Sequence, residues 1–149
     1  MAAKKKYAAG TKVEMATTQN EIRRLLEKHG TVEGFAVAEQ GGIAVLSFHM
    51  HDRRITFRMP VPRLAPRDSA RQASAAMSES RRMWRALLLC IKAKLEGVAS
   101  GIESFEDAFL AQTVLPSGET MGEYAARAIP QALQGRPLPP LLPGMKRDD

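Results

Sequence analysis

The stretch that decides the fold is Gly34-Phe35-Ala36-Val37-Ala38-Glu39-Gln40, Gly41-Gly42, Ile43-Ala44-Val45-Leu46-Ser47-Phe48-His49-Met50, His51-Asp52-Arg53, Arg54-Ile55-Thr56-Phe57-Arg58-Met59-Pro60-Val61. Gly34 to Gln40, Ile43 to Met50 and Arg54 to Val61 read as three short strands, because apolar and polar residues alternate between turn signals. Gln40-Gly41-Gly42 and His51-Asp52-Arg53 form the turns, and two tight hairpins make an antiparallel meander. Alternation then separates two faces. Phe35, Val37, Ala44, Leu46, Phe48, Ile55, Phe57 and Met59 take the core side. Ala36, Ala38, Val45, Ser47, His49, Arg54, Thr56 and Arg58 take the other, with Arg53 at the hairpin tip. A two-residue turn at His51-Asp52 or at Asp52-Arg53 keeps this parity, whereas a three-residue turn destroys it.

Working outward, Thr18 with Glu21 three residues later reads as a capping box opening a helix. Ile22, Leu25 and Leu26 form its apolar stripe, and Gly30 stops it. Residues 1–17 before it, with Lys4, Lys5, Lys6 and Lys12, read as a flexible basic arm, either a solvated tail or a phosphate-contacting one. After the strands, Pro60, Pro62 and Pro66 begin a linker that runs to about Ser69. Ala70 to Met77 is either the start of the next helix or a separate segment. From Ser80 on, Trp84, Leu88, Ile91, Leu95 and Val98 recur at helical spacing, so the main core helix lies here and ends at Gly97 or Gly101. Ser104 opens a short helix with Glu106 and Asp107 in its first turn. Thr120 with Glu123 opens another, which Pro130 is expected to kink or stop. The predicted fold is α+β: an N-terminal helix, a three-stranded antiparallel meander, a long core helix and two shorter C-terminal helices. It makes one domain over residues 18–135, followed by a Pro/Leu-rich tail over residues 136–149.

With 149 residues, 44% hydrophobic and 26% charged, the chain has globular composition and can bury one core. The longest apolar run, Ala86 to Ile91, is too short for a bilayer span, and Met1 to Lys6 is followed by no long apolar core, so a cytoplasmic location is expected. The single cysteine, Cys90, excludes an intramolecular disulfide and is expected to be buried inside Leu87-Leu88-Leu89-Cys90-Ile91. His49-Met50-His51-Asp52 brings two imidazoles together without a third strong ligand, so no metal site is assigned. The acids Glu96, Glu103, Glu106 and Asp107 fit helix-end electrostatics and match no catalytic spacing. No Gly-x-Ser-x-Gly or paired Cys-x-x-Cys occurs, so neither catalysis nor a cofactor is expected.

The remaining signal is charge. A net charge of +6 and a pI near 9.8 favour polyanionic partners. The polar sheet face joins small residues to arginines without a carboxylate in its central positions, and arginine makes bidentate phosphate contacts. It lacks the aromatic platform common among single-strand binders. An ordinary solvated sheet face remains the alternative.

Several stretches together resemble a family of small uncharacterised bacteriophage and prophage proteins. They are Gly10-Thr11-Lys12-Val13, Glu21-Ile22 through Leu25-Leu26 to Gly30, Arg53-Arg54-Ile55-Thr56-Phe57, Trp84-Arg85-Ala86-Leu87 and Ile91-Lys92-Ala93-Lys94-Leu95-Glu96. Phe105-Glu106 to Leu115-Pro116-Ser117-Gly118 and Leu141-Leu142-Pro143-Gly144 complete the match, which covers most of the chain and implies no catalytic residue. The element order is also similar to the core of phage single-strand annealing proteins, which hold DNA in a basic groove beside a hairpin. These likenesses imply a non-catalytic accessory protein that binds DNA, single-stranded above all, in recombination or replication, in the host cytoplasm if phage-encoded. Arg53, Arg54 and Arg58 are the expected phosphate contacts, with Lys4, Lys5, Lys6, Lys92 and Lys94 assisting. A homo-oligomer and a host protein are further partners. The alternative function is a protein-interaction module, such as an inhibitor of a host defence complex.

Overall fold

The chain order is α1 (Ala2–Glu27), β1 (Glu33–Gln40), β2 (Ile43–Met50), β3 (Arg53–Pro60), α2 (Ala70–Ala99), α3 (Phe105–Ala108), a 3-10 turn (Leu110–Gln112) and α4 (Met121–Leu133). The structure, a computed structural model, describes the backbone of residues 2–142 and side chains from Met15 to Leu142. The α+β class and the element order are those the sequence predicts. The capping boxes that start α2, at Ser69 with Gln72, and α4, at Thr120 with Glu123, are both closed by reciprocal hydrogen bonds.

The three strands form one antiparallel sheet in the order β1-β2-β3. Both turns hold two residues, Gly41-Gly42 and His51-Asp52, so the predicted face parity survives. Gly41 and Gly42 sit at φ of 62° and 80°, the left-handed region that such turns require and glycine adopts freely. His51 and Asp52 adopt it too, at 51° and 58°. There the cost for side-chain-bearing residues is about 1 kcal/mol each. Packing offsets part of it, since the His51 ring lies 4.4 Å from that of Phe105.

The core lies between one sheet face and the helices. Ala44, Leu46, Phe48, Met50, Ile55, Phe57 and Met59 meet Ile22 and Leu26 of α1, Trp84, Leu87, Leu88, Ile91 and Leu95 of α2, and Phe105, Ala108 and Phe109. Phe109 is the aromatic hub, stacked on Phe105 at 4.6 Å and edge-on to Phe48 and Phe57 at 6.4 and 6.2 Å. Gly30, just past α1, lies against Met50 and His51. Phe105, just past α2, also meets His51. Both helices therefore end at the β2–β3 turn and run parallel. An antiparallel meander of three strands between them requires this direction.

Several expectations are corrected. Residues 2–17, expected as a flexible arm, belong to α1, and Thr18 lies buried within that helix instead of capping it. Alanine and lysine are strong helix formers, and in this stretch their propensity carries the helix past the predicted cap. Ala70 to Met77 is continuous with the core helix. Pro130 does not stop α4, which continues to Leu133 with Gln134 as its C-cap. Cys90 is exposed, as is Leu89 at 64%. The apolar run around them is longer than the buried stripe is wide, and at 100° per residue the surplus turns outward.

Thirty residues of α2 span about 45 Å, whereas an eight-residue strand spans about 26 Å. The first buried residue of α2 is Ser80. The N-terminal halves of α1 and α2 therefore overshoot the sheet, beyond the Gly41-Gly42 turn, as a helical arm. No helix of the described residues is long and apolar enough to cross a membrane.

Candidate nucleic-acid interface

Positive charge is segregated along the chain, and the fold carries that segregation into space. Residues 1–17 hold four lysines against one glutamate, and residues 63–85 hold six arginines against one aspartate and one glutamate. Their combined surplus exceeds the +6 of the whole chain. Residues 86–123 hold two lysines against five glutamates and one aspartate. Because α1 and α2 run parallel, the two basic segments share the arm end and the acidic one lies towards the α2 C-terminus. The exposed N-terminus of α2 adds partial positive charge at the arm end.

At the base of the arm, Thr17, Thr18 and Glu21 of α1 face Ser78, Arg81, Arg82 and Arg85 of α2 across a groove of about 380 Å³. The three arginines fall on one side of α2 by their spacing. Arg85 donates to Glu21 at 3.2 Å, and Arg82 makes a two-pronged contact with Glu79 at 2.6 and 2.9 Å. That hydrogen bonding, against an opposing desolvation effect and helped by the charge of Arg82, holds the Glu79 carboxyl below its ordinary range. These pairs are solvent-exposed, so an incoming phosphate can exchange with the carboxylates at little cost. The sequence places these arginines only on helix flanks. Their meeting with α1 across a groove depends on the parallel helix pairing, which no local pattern reveals.

The predicted arginines of the hairpin do not converge. Arg53 is the register partner of Met50, whose side chain is in the core, so Arg53 shares that side, half-buried at the sheet end. Arg54 and Arg58 do lie on the open face, four residues and therefore about 13 Å apart. Arg54 Nε donates to Ser47 Oγ at 3.5 Å, and Ser47 Oγ bonds Thr56 Oγ1 at 3.2 Å. Arg58 is ion-paired to Glu123. The open face is thus not free of carboxylate, because α4 brings one in from 65 residues away. The backbone N–H of Thr120 first, and then Arg58, hold the Glu123 carboxyl below its ordinary range. Thr56 is itself buried, since Ala111, Gln112, Thr120 and Gly122 lie over it. What stays open is Ala36, Ala38, His49 and Arg54, with Val45 and Ser47 half-covered.

The two assisting lysines of α2 also separate. Lys94 Nζ donates to the Ala108 carbonyl at 2.7 Å and sits over the Phe109 ring, tying α2 to α3 on the core side. Lys92 is exposed on α2. Lys4, Lys5 and Lys6 lie in the first turns of α1, on the arm, and their side chains fall outside the described residues. His49, His51, Glu33 and Asp52 border a hollow at the β2–β3 turn, yet among the described residues no three metal-binding side chains converge. The tail has no regular secondary structure over residues 136–140, with the Tyr124 hydroxyl donating to the Pro139 carbonyl at 2.6 Å. Residues 143–149 lie outside the described part.

No family model, no curated protein and no solved structure matches the chain.

Proposed function

We propose that this protein is a non-catalytic, phage-type accessory protein that binds the backbone of nucleic acid through its helical arm. The carrying observation is the charge segregation: two basic segments, distant in sequence, start two parallel helices and so meet at one end. A polyanion is the partner that such an end attracts, with affinity and association rate set by screened charge. Arg81, Arg82 and Arg85 line the groove, while Arg71 and Lys4 to Lys6 stand further along the arm helices. Arg54 and Arg58 form a secondary patch. Single-stranded DNA in recombination or replication is the substrate suggested by the likeness of element order to annealing proteins. The contact is to phosphate, because the open face offers no aromatic platform for bases.

Fluorescence anisotropy with labelled single- and double-stranded oligonucleotides, at low and near-physiological salt, tests the reading. Binding should weaken steeply with salt. The Arg82→Ala/Arg85→Ala double variant should lose about tenfold in affinity and lower the single-strand log–log salt slope by about 1.4. No binding at low salt would remove the proposal.

A second reading, a protein-interaction module, is favoured by the opposite end. There Leu110, Ile129 and Leu138 are exposed around a groove of about 540 Å³ that also takes in Tyr124 and Ala128. One stoichiometric partner captured from host extract, with nuclease treatment making no difference, would establish it.

A further inference from the structure

The two edges of the sheet are finished differently. β3 is covered: Ile55 pairs with Thr113 in an antiparallel bridge, and Val114 N–H donates to the Arg54 carbonyl at 2.9 Å. β1 has β2 on one side and, among the described residues, no backbone partner on the other. Which groups are left over follows from the turn. A two-residue hairpin makes Gln40 and Ile43 a hydrogen-bonded pair, so Ala38 and Ala36 also face β2, while Glu39, Val37 and Phe35 direct their N–H and C=O groups outward. From Phe35 to Glu39 this edge has neither lysine nor proline, and its bulge lies only at the start of the strand, between Glu33 and Ala36. Apolar side chains of β1 are also left uncovered, with Val37 37% exposed and Phe35 only half-buried.

We propose that β1 pairs antiparallel with β1 of a second copy of this chain, about a two-fold axis at Val37, joining two sheets into one six-stranded sheet. Charge selects this register. With Val37 opposite its own copy, Glu39 of each chain stands across from Phe35 of the other. The ring of Phe35 lies under the Arg23 guanidinium at 5.9 Å, so each Glu39 gains a cation beside it. Arg23 keeps Glu27 at 3.1 Å and has further N–H donors to offer. Shifting the axis to Ala36 sets Glu33 against Glu39, a like-charge pair, and the bulge between Glu33 and Ala36 breaks the ladder there. Shifting it to Ala38 runs β1 into the Gly41-Gly42 turn. A two-fold edge needs only one self-complementary sequence, and Phe35-Ala36-Val37-Ala38-Glu39 supplies it. The axis is perpendicular to the sheet, so both helix layers stay on one face with the basic arms at opposite ends. The pairing stands apart from nucleic-acid binding and does not depend on it.

Sedimentation of the full chain should give twice the monomer mass. Val37→Lys should give a monomer that keeps the wild-type far-UV circular dichroism, and Glu39→Lys should weaken the dimer about tenfold by setting like charges at two symmetric places. In a Cys90→Ser background, Val37→Cys should cross-link under mild oxidation. Residues on the axis of a hydrogen-bonded pair have Cα atoms about 5.5 Å apart, within disulfide range. Ala38→Cys, which faces the other side and is offset from its copy, should not cross-link. A monomeric wild type, a dimer indifferent to Val37→Lys, or cross-linking of Ala38→Cys in place of Val37→Cys would each overturn the pairing.

Discussion

The two halves of α2 are one continuous helix with opposite duties. From Ser80 to Leu95 it buries Trp84, Leu87, Leu88, Ile91 and Leu95 against the sheet and α1. From Ala70 to Glu79 no residue is fully buried, Ala73, Ala76 and Met77 are half-buried, and the stretch consists largely of alanine and serine. The second half of the helix is held by tertiary packing. The first is sustained by propensity, by the Ser69–Gln72 capping box and by continuity with the packed half. A helix can therefore extend past its core on a thin stripe of small, half-buried side chains, provided one end is anchored. The extension then presents charge on a stiff frame. Loss of conformational freedom on binding is smaller for such an arm than for a flexible tail.

The most forceful way to break this comparison is Ile91→Ala, which should cost about 2–5 kcal/mol in urea unfolding. Ala75→Ser, an exposed change on the arm half, should cost about 0.5 kcal/mol or less. Equal losses would mean that the arm is also packed. Nucleic-acid affinity supplies the converse test. Arg54→Ala/Arg58→Ala should weaken binding about threefold, less than the arm double variant does, because Arg58 already has Glu123 and Arg54 stands alone. A larger loss from the sheet pair would return the principal contact to the hairpin.

The smallest expected effect concerns the carboxylate that α4 lends to the sheet. The folded-state pKa of Glu123 is depressed, so its contribution to stability is present above the ordinary glutamate range and is lost as pH falls through the folded value. Glu123→Gln keeps an oxygen for the Thr120 N–H but loses the charge. The variant should melt slightly below wild type at neutral pH, and the gap should close on acidification. A gap that widens in acid would contradict the ion pair with Arg58.

Legibility followed sequence distance. The hairpins, the face parity and the Thr120–Glu123 cap are readable, because each depends on residues within a few positions of one another, whereas the exact place of the second turn, His51-Asp52, came from the structure. The α2 N-cap at Ser69 escaped notice because its box closes with glutamine among alanines and serines, a composition that also suits a linker. Cys90 was misplaced by averaging over an apolar run when angular position decides burial. Arg53 was grouped with Arg54 and Arg58 by adjacency in sequence, although neighbouring strand residues point to opposite faces.

By itself the sequence determined the α+β class, the meander with its two faces, and the surplus of positive charge in two separate segments. Local propensity, turn chemistry and period-two alternation act within single hairpins and helices, and no distant contact is needed to express them. Only the tertiary structure decided where those charges go. The odd number of strands makes α1 and α2 parallel, which gathers Lys4 to Lys6 and the α2 arginines at one end. The same packing brings Glu123 onto Arg58, hides Thr56, covers the β3 edge with Thr113 and Val114 and leaves β1 uncovered. Each of these depends on which surfaces remain after the core has closed, and that is a property of the whole chain.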